Sequence, residues 1–262
     1  MRRILGEKTV GHMGTLDPMA EGVLVVGVGK SARLFEYVSG RRKSYVAKFK
    51  FGSQTDTLDA LGTVTDETRD IPSVDAALNA IRSMVGKIEQ LPPVYSAKHV
   101  GGKRAYALAR SGESVELSPV SVEIYDAQLI CQPSMSEMVF SIDCSAGTYI
   151  RSICRDVAKL CGSLATLTYL QRTRSGCFDV KDSVTLDALT VQMRNALIAP
   201  DKALDDMPVC EIAADRYDDL RHGRKIACDR TGEFKVYCNG EFFGIGCNVD
   251  GTLKIKTYLK DD

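Results

Sequence analysis

The segment from Gly11 to Leu24 constrains this chain more than any other, because three glycines and one proline give its backbone flexible or rigid points at four positions. It reads Gly-His-Met-Gly-Thr-Leu-Asp-Pro-Met-Ala-Glu-Gly-Val-Leu. Glycine lets a backbone approach a ligand closely, and Pro18 biases Asp17 away from the helical region. The pattern predicts a loop that presents the Asp17 carboxylate, with His12 shortly before it. An Asp-Pro pair taken alone is more typical of an ordinary turn, so the surrounding residues must decide between the two interpretations.

Size and charge limit the function classes in different ways. The 262 residues suit one large domain, or a domain with a small appendage. The 34 basic and 34 acidic residues cancel, so the overall charge gives no indication of nucleic acid. Residues 27–50, however, carry seven cations and one anion, a net charge of +6. Such a local patch favours phosphate binding, although a solvated pair of strands with Lys-rich edges has the same composition.

The nine cysteines predict neither a disulfide framework nor a zinc site. Their number is odd, and no two stand in a Cys-x-x-Cys pair. The sequence also has no secretory signal pattern and no run of about 18 apolar residues that would indicate a membrane span. We therefore expect a reduced, cytoplasmic protein without a membrane or metal partner. Cys154 and Cys161 lie seven residues apart in a helical pattern, which predicts core positions for both.

Alternation of apolar and polar residues predicts strands. In residues 43–51 every second side chain, from Tyr45 to Phe51, is aromatic or Ala, a period of two that is typical of a half-buried strand. Similar or shorter apolar patterns predict strands at residues 22–29, 120–129, 137–143 and 164–171.

Capping residues and a helical repeat predict the helices. Ser73 precedes an amphipathic pattern that stops near Gly86. Residues 56–70 are acidic and polar and are expected to form a loop. Strands and helices do not alternate regularly, so the pattern predicts an α+β fold and not a doubly wound sheet. The other predicted helices are the end of a basic helix at 1–10 and helices at 103–111, 149–160 and 185–197.

The last part of the chain has a different sequence pattern. Residues 209–259 consist of short strand patterns separated by glycine-containing turns, such as Asn239-Gly240 and Asp250-Gly251. This predicts two domains, a large one over residues 1–205 and a small all-β one over residues 206–262.

A phosphate-binding loop for nucleotides is a weak alternative. Residues 25–31 end in Gly29-Lys30-Ser31 after a strand pattern, as such loops do. The motif also requires a glycine five residues before Gly29, where this chain has Leu24. A nucleotide-binding protein is therefore a remote hypothesis.

Six segments together carry a resemblance to a known family. The loop at residues 11–24 resembles, letter for letter, the active-site loop of the bacterial tRNA pseudouridine-55 synthases. The resemblance runs from Met1 to about Arg174 and is looser beyond, where the chain resembles the PUA domains of RNA-modifying enzymes. Five further segments resemble the same family in the same order: Lys43-Ser44-Tyr45-Val46, Thr55-Asp56-Thr57-Leu58-Asp59-Ala60-Leu61-Gly62, Pro93-Val94-Tyr95-Ser96-Ala97-Lys98, Gly147-Thr148-Tyr149-Ile150-Arg151 and Tyr169-Leu170-Gln171-Arg172-Thr173.

The resemblance implies a mixed or antiparallel sheet flanked by helices, and an isomerase that needs no cofactor or metal. Asp17 would be the nucleophile at the sugar, with Arg151 as the cation beside it. A cation at a helix start is disfavoured by the helix dipole, which by itself favours a functional role for Arg151. Tyr45 resembles the residue that stacks on the uracil and could act as a base. Tyr149 and Leu170 resemble residues of the uracil pocket, although core packing is the ordinary role for Tyr45 and Leu170.

The implied substrate is the T-stem-loop of tRNA, bound by a monomer. The target uridine must be flipped out of its stack, and His12 resembles the residue that fills the vacated place. The T-loop would be recognised by its shape and phosphates more than by base edges. The candidate substrate- or RNA-binding residues besides these are Lys30, Arg41, Arg42, Asp59, Lys98, Lys103 and Arg172.

Two alternatives and one departure from the family pattern remain. A non-catalytic tRNA-binding or folding chaperone, or the catalytic subunit of a guide-RNA-directed pseudouridylation complex, would share parts of these motifs. Members of the family usually begin with a strand and a Lys-Pro-x-Gly-x-Thr-Ser motif, whereas this sequence starts within the helix that follows. We expect the absence of that strand to leave a sheet edge and part of the core uncovered.

Overall fold

A computed structural model describes residues 1–38, 40–96, 99–100, 103–104, 106 and 117–260. Its α-helices are short except for two. They are α1 (Arg2–Leu5), α2 (Phe35–Val38), α3 (Val74–Ser83), α4 (Ile150–Leu160), α5 (Leu186–Gln192) and α6 (Tyr217–Arg221). Helices of the 3-10 type span Gly29–Leu34, Val180–Asp182, Met193–Ala196, Pro200–Leu204 and Ala214–Arg216.

The strands fall into two larger sheets and several short pairs. In chain order they are β1 (Val10–Met13), β2 (Glu21–Gly22), β3 (Val25–Val28), β4 (Lys43–Phe51), β5 (Ser53–Thr55), β6 (Val64–Glu67), β7 (Gly86–Gln90), β8 (His99–Val100), β9 (Lys103–Arg104), β10 (Val120–Ser134), β11 (Glu137–Cys144), β12 (Ala165–Ser175), β13 (Phe178–Asp179), β14 (Val209–Ile212), β15 (Glu233–Cys238), β16 (Glu241–Val249) and β17 (Thr252–Tyr258).

The central sheet has seven strands in the order β13-β12-β4-β11-β10-β7, with β2 added in parallel beside β12. The other pairings of this sheet are antiparallel. The alternation predicted for residues 43–51 is confirmed, since Ala47, Phe49 and Phe51 are buried on one face of β4. The α+β fold and the mixed sheet are therefore confirmed.

Helices α3 and α4 cover this apolar face of the sheet. The Ser73 hydroxyl accepts a hydrogen bond from the Ala76 amide at 3.2 Å, so the predicted cap of α3 forms. In α4 the buried side chains include Ile153, Cys154 and Val157, which pack into the main core. Burial of Cys154 agrees with its predicted position, and half-buried Cys161 packs at the edge of the same core.

The four-stranded sheet β14-β15-β16-β17 has its own apolar core, and a further cluster joins it to the start of the chain. In that cluster Met13, Leu34 and Val38 pack with Leu204 and Ile245. The β-domain therefore lies against the hairpin β1–β3 that carries the Gly11–Leu24 loop.

Two predicted elements differ in type from the structure. Residues 56–70 are not only a loop, because Val64–Glu67 pairs with β5; all four residues are exposed, so no buried face marked the strand. The helix predicted over residues 103–111 begins instead as a two-residue strand, Lys103–Arg104, paired with β8. Most of the remainder of that segment lies outside the described residues. No helix in the described part of the chain is long and apolar enough to cross a membrane.

Candidate active site

The Gly11–Leu24 loop is anchored at both ends before it presents Asp17. Residues 10–13 pair with residues 25–28, and the loop returns to the central sheet through β2. A Cβ atom on Gly22 would lie 2.2 Å from the Arg172 carbonyl oxygen, so only glycine allows β2 to lie this close to β12. The Ala20 amide donates to the Asp17 carbonyl at 2.9 Å, which closes a tight turn after the Asp-Pro pair.

The Asp17 carboxylate forms a two-bond ion pair with Arg151. Nε of Arg151 donates to Oδ2 at 2.9 Å, and Nη2 donates to Oδ1 at 2.7 Å. The guanidinium is almost fully buried, whereas Asp17 keeps 28% of its side chain exposed. A planar guanidinium fixes both oxygens of a carboxylate at once, so Asp17 is held in one orientation and its exposed side faces solvent.

Arg151 is itself fixed by residues from two further segments of the chain. Nη1 donates to the Thr57 carbonyl at 3.0 Å, and Nη2 also donates to the Tyr95 carbonyl at 2.9 Å. Nη1 lies 3.5 Å from Oδ2 of buried Asp59. The predicted pairing of Asp17 with Arg151 is thus present. Asp59 lies behind this pair and not in the cleft described below.

Gln90 fixes the start of helix α4, which the sequence did not reveal. The side chain is fully buried; its amide nitrogen donates to the Tyr149 carbonyl at 3.2 Å, and its oxygen accepts from the Tyr149 amide at 2.8 Å. These two hydrogen bonds to Tyr149, the N-cap residue of α4, position Arg151 two residues later. A glutamine before Leu91-Pro92-Pro93 carries no local pattern that would have indicated it.

Tyr45, Tyr149 and Leu170, the residues predicted for the uracil pocket, line one small cleft together with Asp17. The cleft has a volume of about 60 Å³. Burial raises the pKa of Tyr45 to about 12, while the Arg172 guanidinium acts in the opposite direction. Tyr45 therefore stays a neutral phenol at physiological pH, which suits stacking and hydrogen bonding. The cleft is completed by Thr15, Leu16, Thr148, Ile150 and Arg172.

Arg172, which was predicted to bind RNA, lies buried beside the cleft and contacts the backbone of the Asp17 loop. Only 1% of the residue is exposed. Nε donates to the Val23 carbonyl at 2.7 Å, and Nη2 donates to the Gly14 carbonyl at 2.9 Å. Arg172 therefore ties the two ends of the Asp17 loop together, a role hidden from the sequence because its acceptors are backbone carbonyls.

The predicted basic patch is partly neutralised by acids from distant segments. Arg41 pairs with Asp205, at 2.6 Å, and with Asp206. Arg42 pairs with Asp143, and its guanidinium lies 4.5 Å from the centre of the Tyr125 ring. The hydrogen bond that Arg42 donates to Asp143 raises the pKa of Arg42, and the one that Arg41 donates to Asp205 lowers the pKa of Asp205.

The remaining predicted binding residues have different surroundings. Lys30 donates to the Lys260 carbonyl, which links the 3-10 helix Gly29–Leu34 to the residues after β17. His12 is exposed on β1 opposite Val26. Lys98 lies outside the described residues, as does the side chain of Lys103. Among the described residues, no three His, Cys, Asp or Glu side chains gather where they could hold a metal ion.

Solved structures share this fold at low sequence identity. A chain in "Structure of H/ACA RNP bound to a substrate RNA containing 2'-deoxyuridine" matches with a TM-score of 0.71 and 19% identity, over 99% of this chain and 79% of that one. A chain of a Cbf5-Nop10-Gar1 complex matches with a TM-score of 0.69 and 21% identity, over 99% and 78%. At this identity, the likeness concerns the fold alone.

Curated relatives are more similar to this chain in sequence than these solved structures are. The chain is 38% identical to the tRNA pseudouridine synthase B of Thermosipho melanesiensis over 259 residues, which are 94% of this chain and 84% of the relative. It is 34% identical to the tRNA pseudouridine synthase B of Clostridium perfringens, over 100% of this chain and 93% of the relative.

Family profiles cover nearly the whole chain. "TruB family pseudouridylate synthase (N terminal domain)" matches residues 2–150. "tRNA pseudouridylate synthase B C-terminal domain" matches residues 151–207, and "Pseudouridine synthase II TruB, C-terminal" matches residues 208–257. The fold and these matches define a pseudouridine synthase, which is an isomerase. The chain belongs to the TruB family of these enzymes.

Proposed function

We propose that this protein converts the uridine at position 55, in the T-loop of tRNA, into pseudouridine, with Asp17 as nucleophile and without a cofactor. The observation that carries the proposal is the ion pair of Asp17 with buried Arg151 at the rim of the cleft. Relatives over most of the chain are named tRNA pseudouridine synthase B, which supports tRNA as the substrate.

The chemistry needs one fixed, ionised carboxylate and a pocket for a detached base. One Asp17 oxygen attacks C1′ of the sugar; the C1′–N1 bond breaks and its electron pair leaves with the uracil. The uracil then rotates in the cleft, its C5 bonds to C1′, and the Asp17 oxygen is released. The C5 proton is then lost to solvent and N1 takes up a proton, so the product is an isomer of the starting uridine. Arg151 keeps the attacking carboxylate charged and oriented throughout.

Tyr45 and Leu170 hold the uracil during the rotation. Leu170 is buried and Tyr45 is 8% exposed, so both offer apolar surface to a planar base. The raised pKa of Tyr45 supports stacking over proton abstraction, because the phenol stays protonated. His12, exposed on β1, takes the place that the flipped nucleotide leaves in the RNA stack.

The two-domain organisation serves the same reaction. Residues 1–205 form the catalytic domain, and residues 206–262 form a PUA-like RNA-binding domain in a monomer. All nine cysteines are free, which fits the reducing conditions of the cytoplasm.

The test is incubation of the purified protein with an unmodified tRNA transcript, followed by nucleotide-resolution mapping of pseudouridine. We expect one modified position, in the T-loop, and none with the Asp17→Asn variant. A transcript in which cytidine replaces the target uridine is the matched RNA control. Modification only outside the T-loop, or equal modification by the Asn variant, would contradict the proposal.

A further inference from the structure

Lys43 is a buried cation whose place in the site is not explained by the roles above. It opens strand β4 on the same face as Tyr45, and 9% of the residue is exposed. Across the described part of the chain, the ammonium has neither an ion pair nor a hydrogen bond to another residue. Burying an ionised amine without a partner is costly, so such a group generally awaits an anion or loses its charge.

The surroundings of Lys43 are cationic. The Arg172 guanidinium and burial both lower the pKa of Lys43, and the neighbouring thiol of Cys144 is neutral, since burial raises its pKa to about 12. The carbonyls that accept from Arg172 are neutral as well. Two adjacent cations without a carboxylate between them make a strong anion-binding potential.

Gly14, in the Asp17 loop, lies directly beside both cationic groups. A Cβ atom on Gly14 would lie 3.1 Å from Nζ of Lys43 and 3.5 Å from Nη1 of Arg172. The missing side chain leaves both cationic groups facing the bare backbone of the loop, three residues before Asp17. Glycine at such a point permits the close approach of a ligand that contacts backbone and cations together.

We propose that Lys43, with Arg172 behind it and Gly14 beside it, binds a backbone phosphate of the RNA next to the flipped nucleotide. The phosphodiester supplies the negative charge that Lys43 lacks in the free protein. Binding it draws the sugar towards Asp17, so the contact positions the reacting C1′ as well as adding affinity. This inference rests on the proposed function, because it requires an RNA strand in the cleft.

The test couples one protein charge to one RNA charge. T-stem-loop RNAs are made with a neutral methylphosphonate at one phosphate at a time around the target uridine. Their affinities are measured for protein carrying Asp17→Asn, which prevents turnover, with Lys43 intact or changed to Met. We expect one phosphate whose neutralisation weakens binding on the order of tenfold with Lys43 and less than about twofold with Lys43→Met.

Lys48→Met is the matched control, since Lys48 lies on the same strand, is partly exposed and pairs with Glu137. It should show the same dependence on the phosphate as the protein with Lys43. Lys43→Arg should retain the coupling. The free Lys43→Met protein should unfold at the same temperature as the parent or higher, because an unpaired buried charge has been removed.

The proposal would be overturned if neutralising each phosphate weakened RNA binding equally in the protein with Lys43 and in the Lys43→Met variant. Binding of inorganic phosphate that depends on Lys43 without coupling to any RNA position would also overturn it. Failure of both Lys43→Met and Lys43→Gln to fold would do the same, since it would show a structural role. If the parent modifies no T-loop, the proposed function fails and this inference falls with it; if it modifies the T-loop without coupling, only the phosphate site fails.

Discussion

The Asp59 carboxylate lies 3.5 Å from Nη1 of Arg151, on the edge of the guanidinium that Asp17 does not use. Its other oxygen accepts hydrogen bonds from the Leu61 amide at 3.0 Å and from the Thr57 hydroxyl at 2.8 Å. Arg151 is therefore held between the partly exposed carboxylate of Asp17 and the buried carboxylate of Asp59.

Asp59→Asn should lower kcat by about tenfold to a hundredfold and change KM little, because the amide removes the charge that orients Arg151. The Asn oxygen can still accept from Leu61 and Thr57, so the fold should persist. Steady-state kinetics and thermal unfolding measure both effects. Asp66→Asn, on exposed β6, is the control and should behave as wild type. A raised KM at unchanged kcat would place Asp59 in substrate binding instead.

Asp17→Asn should abolish isomerisation while tRNA affinity stays within about tenfold of wild type, because the carboxylate acts in the transition state more than in binding. Single-turnover assays and equilibrium binding on the same transcript separate the two effects. An Asn variant that keeps more than a few per cent of the rate would remove Asp17 from the nucleophile role.

Ionisation of Tyr45 should not affect the reaction rate below about pH 10, since burial raises the pKa of Tyr45 to about 12. The raised pKa favours the protonated phenol, so deprotonation begins only above the ordinary range of tyrosine. Wild type and Tyr45→Phe should therefore give profiles of the same shape, with the Phe variant slower. A limb between pH 7 and about 10 that disappears in Tyr45→Phe would show that the phenolate acts as a base.

Replacing Arg41 and Arg42 together by Ala should change the slope of log affinity against log salt little. Asp205, Asp206 and Asp143 already neutralise these cations, so few counterions are released when RNA binds there. Replacing those three acids by Asn should free both arginines and steepen the slope. A marked flattening in the double Ala variant would show that RNA displaces the acids.

His12→Ala should slow turnover more on a folded T-stem-loop than on an RNA whose target uridine is already unstacked. Opening the stack costs a few kcal/mol, which an inserted side chain offsets. His12→Phe should preserve part of this advantage, because a ring can still fill the gap. Single-turnover rates on both RNAs provide the comparison, and equal losses on the two would indicate that His12 only supports the loop.

The sequence alone determined the loop, the strand of Tyr45 and the α+β class. These features depend on near neighbours: the Gly and Pro positions around Asp17 set the local backbone, and the period of two in residues 43–51 sets which face of β4 is buried. The resemblance also predicted that Asp17 pairs with Arg151, which stands 134 residues further along the chain.

Only the tertiary structure decided which charges are paired and which are buried. The charges of residues 27–50 alone predict a basic patch. However, the carboxylates that pair with Arg41 stand 164 and 165 residues further along the chain, and the one that pairs with Arg42 stands 101 residues further along. Arg172 and Lys43 look alike as basic residues of strands, yet one binds backbone carbonyls and the other has no described acceptor. The electrostatics of a site depend on distances through space and on burial, and both are fixed only when the sheet brings distant strands together.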